Sequence, residues 1–233
     1  MALVQLSSNI DDIKGSIGRI TYAKGRSGII EKHKSHPGSV NPFTPSPAQL
    51  TLRDSIRTLS PMWKALTDQQ RSDWNALALT IKKSNAFGQP YLSSGFNLYI
   101  QFNHNLYLCG CGYIDDAPVR PTFTQLNSIT LNLPHGLPYQ TILALPNHTA
   151  NNVIHLIYAT PCLSPGIYYI RNQYRLIGQI HNSYMWPTLD ISAWYDAHFP
   201  SRTAGMKIFI KLRPIEFFTG WYGTDIFTHS IQQ

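Results

Sequence analysis

Charge is scarce in this chain: only 13% of its residues are Asp, Glu, Lys or Arg, against about 25% in ordinary globular proteins. A weakly charged surface suggests that much of it is covered by something. Twelve carboxylates leave little for acid–base catalysis. The adjacent pairs Asp11-Asp12 and Asp115-Asp116 fall in expected loops, where neighbouring side chains diverge instead of facing across a cleft. Cysteine is equally sparse. Cys109, Cys111 and Cys162 are an odd three, and the Cys-Gly-Cys spacing is too short and too isolated for a four-ligand zinc site, so reduced buried thiols are expected. His33 and His36 could share a metal only on a helix, which Pro37 and Gly38 exclude. Glycine-rich phosphate loops, nucleophile-elbow serines and zinc-protease helix motifs are missing. No catalytic, cofactor-binding or metal-binding residue is expected, and the chain reads as non-enzymatic. No apolar run approaches the ~20 residues that cross a bilayer. The opening Met1 to Asn9 carries neither the basic stretch nor the long apolar core of a secretory signal, so export by that route and a membrane partner are not expected.

The positive charge is gathered at the front. Residues 1–90 hold 12 Lys and Arg against 6 Asp and Glu, whereas residues 91–233 hold 7 against 6. Such a field attracts nucleic acid, an anionic membrane or an acidic protein surface. Short β-prone segments flank Lys24-Gly25-Arg26-Ser27-Gly28 and predict a β-hairpin over Ile13 to Lys34 with a basic tip. Lys14, Arg19, Lys24, Arg26, Lys32 and Lys34 are the candidate contacts for a partner or nucleic acid; the plainer alternative is a solvated basic face. A lone hairpin is marginal in water, so this one must lie on the rest of the chain, a neighbouring subunit or phosphate. Ser35 to Pro47, with four prolines, reads as an extended connector.

Two capping boxes then mark helices, Ser46-Pro47-Ala48-Gln49 and Thr67-Asp68-Gln69-Gln70. The first helix carries Leu52, Ile56, Leu59, Trp63 and Leu66 at 4-3-4-3 spacing, an apolar stripe facing the second helix. A kink or a restart capped by Ser60 is expected at Pro61. The second helix should run from about Asp68 to Lys83, with Trp74, Leu77, Ala78 and Ile81 inward. These stripe residues form the expected helical core: Leu52, Ile56, Leu59, Trp63, Leu66, Trp74, Leu77 and Ile81. Phe96 to Leu108 fits both a strand and a helix; its length, the serines before it and Gly110 after it favour a third helix.

After Asp115 to Pro121, read as a linker, short β-prone runs recur between turn signals: Ile129 to Leu133, Gln140 to Leu145, Val153 to Thr160, Gly166 to Ile170, Tyr174 to Ile180, Met206 to Arg213 and Gly223 to Thr228. Runs at this spacing predict an antiparallel β-sandwich, with a short helical insert at Ile191 to Phe199. The fold class is therefore α+β, divided as a basic hairpin and extended arm over 1–45, a three-helix domain over 46–114 and a sandwich over 115–233. One sandwich core cannot easily hold all its aromatics. Tyr168, Tyr169, Trp186, Trp194, Trp221 and Tyr222 are the candidate interface residues, with a carbohydrate-binding face as the alternative.

Two resemblances sharpen this. Met62 to Ala78 resembles the later helices of an HMG box, which implies nucleic-acid binding. Over nearly the whole chain the sequence is similar to a loosely defined group of phage, prophage and environmental-genome proteins. The likeness rests on Gly15-Ser-Ile-Gly-Arg-Ile-Thr-Tyr22, Asn41 to Gln49, the Trp63 to Trp74 pattern and Ser94-Gly-Phe-Asn-Leu98. The C-terminal part resembles a fibronectin type III-like domain through Ile157 to Gly166, Tyr174 to Gly178 and Gly205 to Arg213. The implied role is a virion or filament structural component, a capsid, decoration or tail subunit. Its implied partners are other copies of itself, other virion proteins and packaged nucleic acid. The implied location is a virion or extracellular particle assembled in the host cytoplasm.

Overall fold

The computed structural model describes residues 2–4, 13–33, 45–85, 87–122, 128–133, 141–144, 152–170, 172–181, 188–199 and 202–231. Its helices lie beside antiparallel sheets, and the fold is α+β. The chain divides into two compact units, one of residues 1–101 with 114–117 and one of 102–113 with 118–233.

In the first unit, β1 (Ala2–Val4), β2 (Gly15–Ile17), β3 (Ile20–Gly25) and β4 (Gly28–His33) form a sheet in the order β1-β4-β3-β2. The predicted hairpin is β3 and β4, closed across Gly25 and Gly28. A second tight turn, in which Gly18 takes φ +59°, joins β2 to β3. The extra strands β1 and β2 are too short to show as periodic runs in the sequence. Lys34 and most of the connector lie outside the described residues.

Helix α1 (Pro47–Ala65) starts at Ser46 and α2 (Asp68–Thr80) at Thr67, and both capping boxes are fully formed. Three expectations here need correction. Helix α1 runs unbroken through Pro61, and the Ser60 hydroxyl donates to the Ile56 carbonyl at 2.6 Å instead of capping a new start. Leu52 and Ile56 are exposed, at 43% and 42%, so the buried stripe begins at Leu59. Ser55, 3% exposed and one turn before Leu59, is the covered residue of this stretch, so the buried face of α1 lies to one side of the line through Leu52 and Ile56. Finally, α2 ends at Thr80, because Ile81 turns extended and β5 (Lys82–Ser84) pairs with β6 (Pro90–Leu92).

The third helix, α3 (Gly95–Leu108), is present. Its first turns bring Phe96 and Tyr99 onto Trp63, with ring centroids 5.7 and 5.4 Å apart, and Tyr99 edge-on to Trp74 at 5.4 Å. Gly95 allows this approach, since a Cβ there would fall 2.5 Å from the Asn75 amide oxygen. The division between the units falls within α3. Residues 114–117 belong with the first unit because Trp74 Nε1 donates to the Asp115 carbonyl at 2.7 Å and Gln70 to the Asp116 carboxylate at 2.8 Å.

In the second unit, β7 (Thr130–Asn132), β8 (Ile142–Ala144), β9 (Val153–Ala159), β10 (Arg175–Ile180), β11 (Thr188–Asp190), β12 (Lys207–Glu216) and β13 (Ile226–Ile231) make two antiparallel sheets, ordered β10-β9-β12-β13 and β11-β8-β7. A shared core of Leu131, Leu143, Ile157, Ile177, Ile208, Ile210 and Leu212 lies between them, joined by Ile191, Tyr195 and Phe199 on and beside α4 (Ser192–His198). Gly166 to Ile170 is not a strand. Leu163 and Lys207 exchange backbone hydrogen bonds, and the chain then turns at Ser164, whose carbonyl accepts from Ile167 N at 3.0 Å. Strand β11, which follows β10 in the chain and pairs with β8, was not expected from sequence.

Candidate functional site

From Ile13 to Lys32 the basic sheet buries no side chain. Every residue from Ile13 to Lys32 is exposed or only half-buried, including Ile20, Tyr22, Ile29 and Ile30, and Ile17 is 68% exposed. Lys14, Arg19, Lys24, Arg26 and Lys32 are all exposed. They do not form one stripe. In the β3–β4 register Lys24 stands opposite Ile29 and Lys32 opposite Thr21, so the two lysines project from opposite faces. Arg19 and Arg26 occupy turns at opposite ends of β3, whose six residues span about 20 Å. The positive charge therefore surrounds the sheet.

A second candidate surface lies in the C-terminal unit, on the face of β10-β9-β12-β13 turned away from the shared core. Strand register puts Leu176, Tyr158, Lys211 and Phe227 in one row across it and Phe209 beside His229 in another. One end of the face is covered by Leu108, Cys109 and Cys111, which pack with Ile154, Leu156 and Ile215. The other end stays open. There Lys211 Nζ sits 4.3 Å from the Tyr158 ring centroid and 5.2 Å from that of Tyr174, and Arg213 lies over Tyr158 and Tyr222 at 5.7 and 5.6 Å. Asp225 serves both cations, with a carboxylate oxygen 2.7 Å from Arg213 and 3.7 Å from Lys211. Burial lowers the Lys211 pKa, assisted by the neighbouring Arg213 charge, while the hydrogen bond to Asp225 raises that of Arg213. Burial also raises the Tyr158 and Tyr174 pKa values, keeping both phenols neutral.

Two cavities open on this end and share Asp225 and Phe227 as lining. The larger, about 740 Å³, adds Arg120, Trp221 and Tyr222; the smaller, about 460 Å³, adds Tyr168, Tyr169, Tyr174 and Lys211. Loops hold the rims in place. Lys207 Nζ donates to the Ile167 carbonyl at 3.1 Å and lies 4.5 Å from the Tyr168 ring centroid, fixing the 164–170 loop. The buried Glu216 carboxylate accepts from the Thr219 backbone N–H at 2.8 Å and from its hydroxyl at 2.5 Å, holding the turn that presents Trp221 and Tyr222.

Of the aromatics named from sequence, Tyr168 and Tyr169 line one cavity and Trp221 and Tyr222 the other. Trp194 belongs elsewhere, packed on the core where Gly178 leaves room for its ring. Trp186 lies outside the described residues. Sequence reasoning missed Lys211, Arg213, Asp225 and Phe227. The signal that would have found Phe227 is the alternation in β13, where Phe227, His229 and Ile231 take the exposed phase.

Among the described residues no His, Cys, Asp or Glu cluster could hold a metal, and no helix is long and apolar enough to cross a membrane. The three cysteines are unpaired with one another: Cys111 Sγ donates to the Cys109 carbonyl at 3.7 Å and Cys162 Sγ lies 3.6 Å from the Tyr195 hydroxyl. No protein-family model, curated protein or solved structure matches the chain.

Proposed function

We propose that the chain is a non-enzymatic structural protein of a virion or filament, a capsid, decoration or tail subunit that works through inter-subunit contacts. The observation that carries this is the N-terminal sheet with no buried residue between Ile13 and Lys32. A small sheet with apolar side chains on show gains order by lying against something. Cations on both faces and at both ends suit a segment enclosed by several neighbours, such as other copies or other virion proteins, better than one resting on a single groove. The exposed Leu50, Leu52 and Ile56 on α1 supply a second uncovered apolar strip in the same unit.

For the C-terminal unit we propose a fibronectin type III-like or immunoglobulin-like sandwich. Its support is the strand order. In chain order the third and sixth strands pair at the centre of one sheet, flanked by the fourth and seventh, and the second strand lies between the first and fifth in the other.

The test is the association state of the purified chain, followed by sedimentation and electron microscopy. Repeating particles are expected, with Ile17→Asp and Arg19→Glu shifting the population toward monomer. A chain that stays monomeric at high concentration, wild type and variants alike, overturns the reading. A second reading, a nucleic-acid-binding protein with an HMG-like helical segment, is favoured by the five exposed cations of the sheet. It requires DNA or RNA affinity that falls steeply as salt rises; weak binding at every salt concentration excludes it.

A further inference from the structure

We propose that the open end of the C-terminal sheet is a binding trough for a neutral oligosaccharide. The two cavities share Asp225 and Phe227, so they read as successive subsites along one path. Aromatic rings line it throughout: Trp221 and Tyr222 at one end, Phe227 in the middle, Tyr168, Tyr169 and Tyr174 at the other. Tyr168, Tyr169 and Phe227 are 84%, 80% and 60% exposed, an unusual display of ring surface for side chains that otherwise favour burial. Sugar rings fit such a path, because a pyranose offers apolar C–H faces to flat rings and hydroxyls at its edges.

The polar groups choose between sugars and polyanions. Lys211 and Arg213 are both drawn to Asp225, and the Asp225 carboxylate lines both cavities. A ligand threading the trough must pass this carboxylate. A hydroxyl can donate to it and accept from Lys211, whereas the charge of Arg213 and Lys211 is already engaged by Asp225 and the Tyr158 ring, which leaves less of it to hold a polyanion. Arg120 lies over Trp221, 5.7 Å from its ring centroid, and extends a stacking surface at the far end. Lys211, Arg120, Asp225 and a run of rings are the equipment for recognising hydroxyls and ring faces. This inference stands apart from the assembly reading, since it concerns a different unit and needs no second copy.

The experiment applies the full chain to an array of neutral and acidic oligosaccharides. The strongest neutral hit is then titrated by calorimetry beside heparin and a single-stranded oligothymidylate, at low and high salt. A neutral hit whose affinity barely changes with salt is expected. Tyr169→Ala and Phe227→Ala should each weaken it about tenfold, the loss of one stacked ring. Both rings are largely exposed, so the variants should unfold at the wild-type midpoint. Silence across the neutral array overturns the proposal. So does binding confined to heparin or oligothymidylate with steep salt dependence, which assigns the face to polyanions, and so do variants that bind the neutral hit as tightly as wild type.

Discussion

Arg213 clasps Asp225 with two donors, Nε to Oδ1 at 2.8 Å and Nη2 to Oδ2 at 2.7 Å. The pair ties β12 to the residue that precedes β13, and the same carboxylate lies 3.7 Å from Lys211 Nζ. Asp225→Asn leaves two half-covered cations side by side with no acid between them. The pair is partly open to water, so the expected loss is about 1–2 kcal/mol, at the lower end for a charged hydrogen bond. Urea unfolding of the variant measures it. An unchanged midpoint would show that solvent already screens the interaction.

Gly220 takes φ +72°, and a Cβ there would run into the Phe102 carbonyl oxygen. Asn105 Nδ2 donates to the Gly220 carbonyl at 2.9 Å, and Phe102 packs on Trp221 with ring centroids 4.9 Å apart. The turn has no room to withdraw. Gly220→Ala is expected to cost about 2–4 kcal/mol, combining left-handed strain with a backbone clash. Thermal unfolding reads the result, and a loss below the cost of a simple Gly-to-Ala change would mean that the turn relaxes.

Pro61 removes one N–H from the hydrogen-bond ladder near the C-terminal end of α1 and is itself exposed. Pro61→Ala restores a donor without disturbing any core contact, so it should raise stability by about 1 kcal/mol or more. Thr67→Ala acts in the other direction. It removes the hydroxyl that accepts from Gln70 N at 3.2 Å, an expected loss of about 1 kcal/mol. Opposite shifts in melting temperature are the outcome to look for; shifts of the same sign would contradict the helix geometry described above.

Features that depend on neighbours in sequence were legible. Ser46 with Gln49 and Thr67 with Gln70 are local devices, and both formed. The glycines around Arg26 closed a hairpin for the same reason. Leu52 and Ile56 were misread because the face of α1 that is covered, marked by buried Ser55 and Leu59, is set by residues far away in sequence, which periodicity within α1 does not contain. Four of the trough's rings, Tyr168, Tyr169, Trp221 and Tyr222, were named from sequence, but its charged centre was illegible for a stronger version of that reason. Tyr158, Tyr174, Arg213, Tyr222 and Asp225 come from β9, the approach to β10, β12 and the turn into β13, and they meet only through strand register. Tyr168 and Tyr169 were recognised as exposed aromatics, yet their β-prone run is a loop because Lys207 holds it by the Leu163 and Ile167 backbone.

His104 offers a pH test of the packing along α3. Burial lowers its pKa below the ordinary 6.5. As pH falls through 6.5, the unfolded chain takes up a proton that the folded chain resists, so the unfolded state gains and stability drops. Stability should therefore be fully present above 6.5 and decline on the acid side. His104→Gln should flatten that decline. Chemical unfolding of both proteins across this range gives the comparison, and parallel curves would show that other groups cause the acid sensitivity.

Thiol labelling probes the covered end of the outer face. Burial pushes the Cys109 pKa up to about 12, with the neighbouring Cys111 adding to the shift. Cys109 itself is 1% exposed within the cluster of Ile154, Leu156 and Ile215. The nucleophile in alkylation is the thiolate, and at mildly alkaline pH Cys109 has almost none and no access. Iodoacetamide on the native protein should spare Cys109 over a period in which it modifies Cys162, which is half-buried. In denaturant all three should react at similar rates. Peptide mass mapping after a timed quench distinguishes the sites, and native-state labelling of Cys109 as fast as Cys162 would mean that its cover opens on the reaction's timescale.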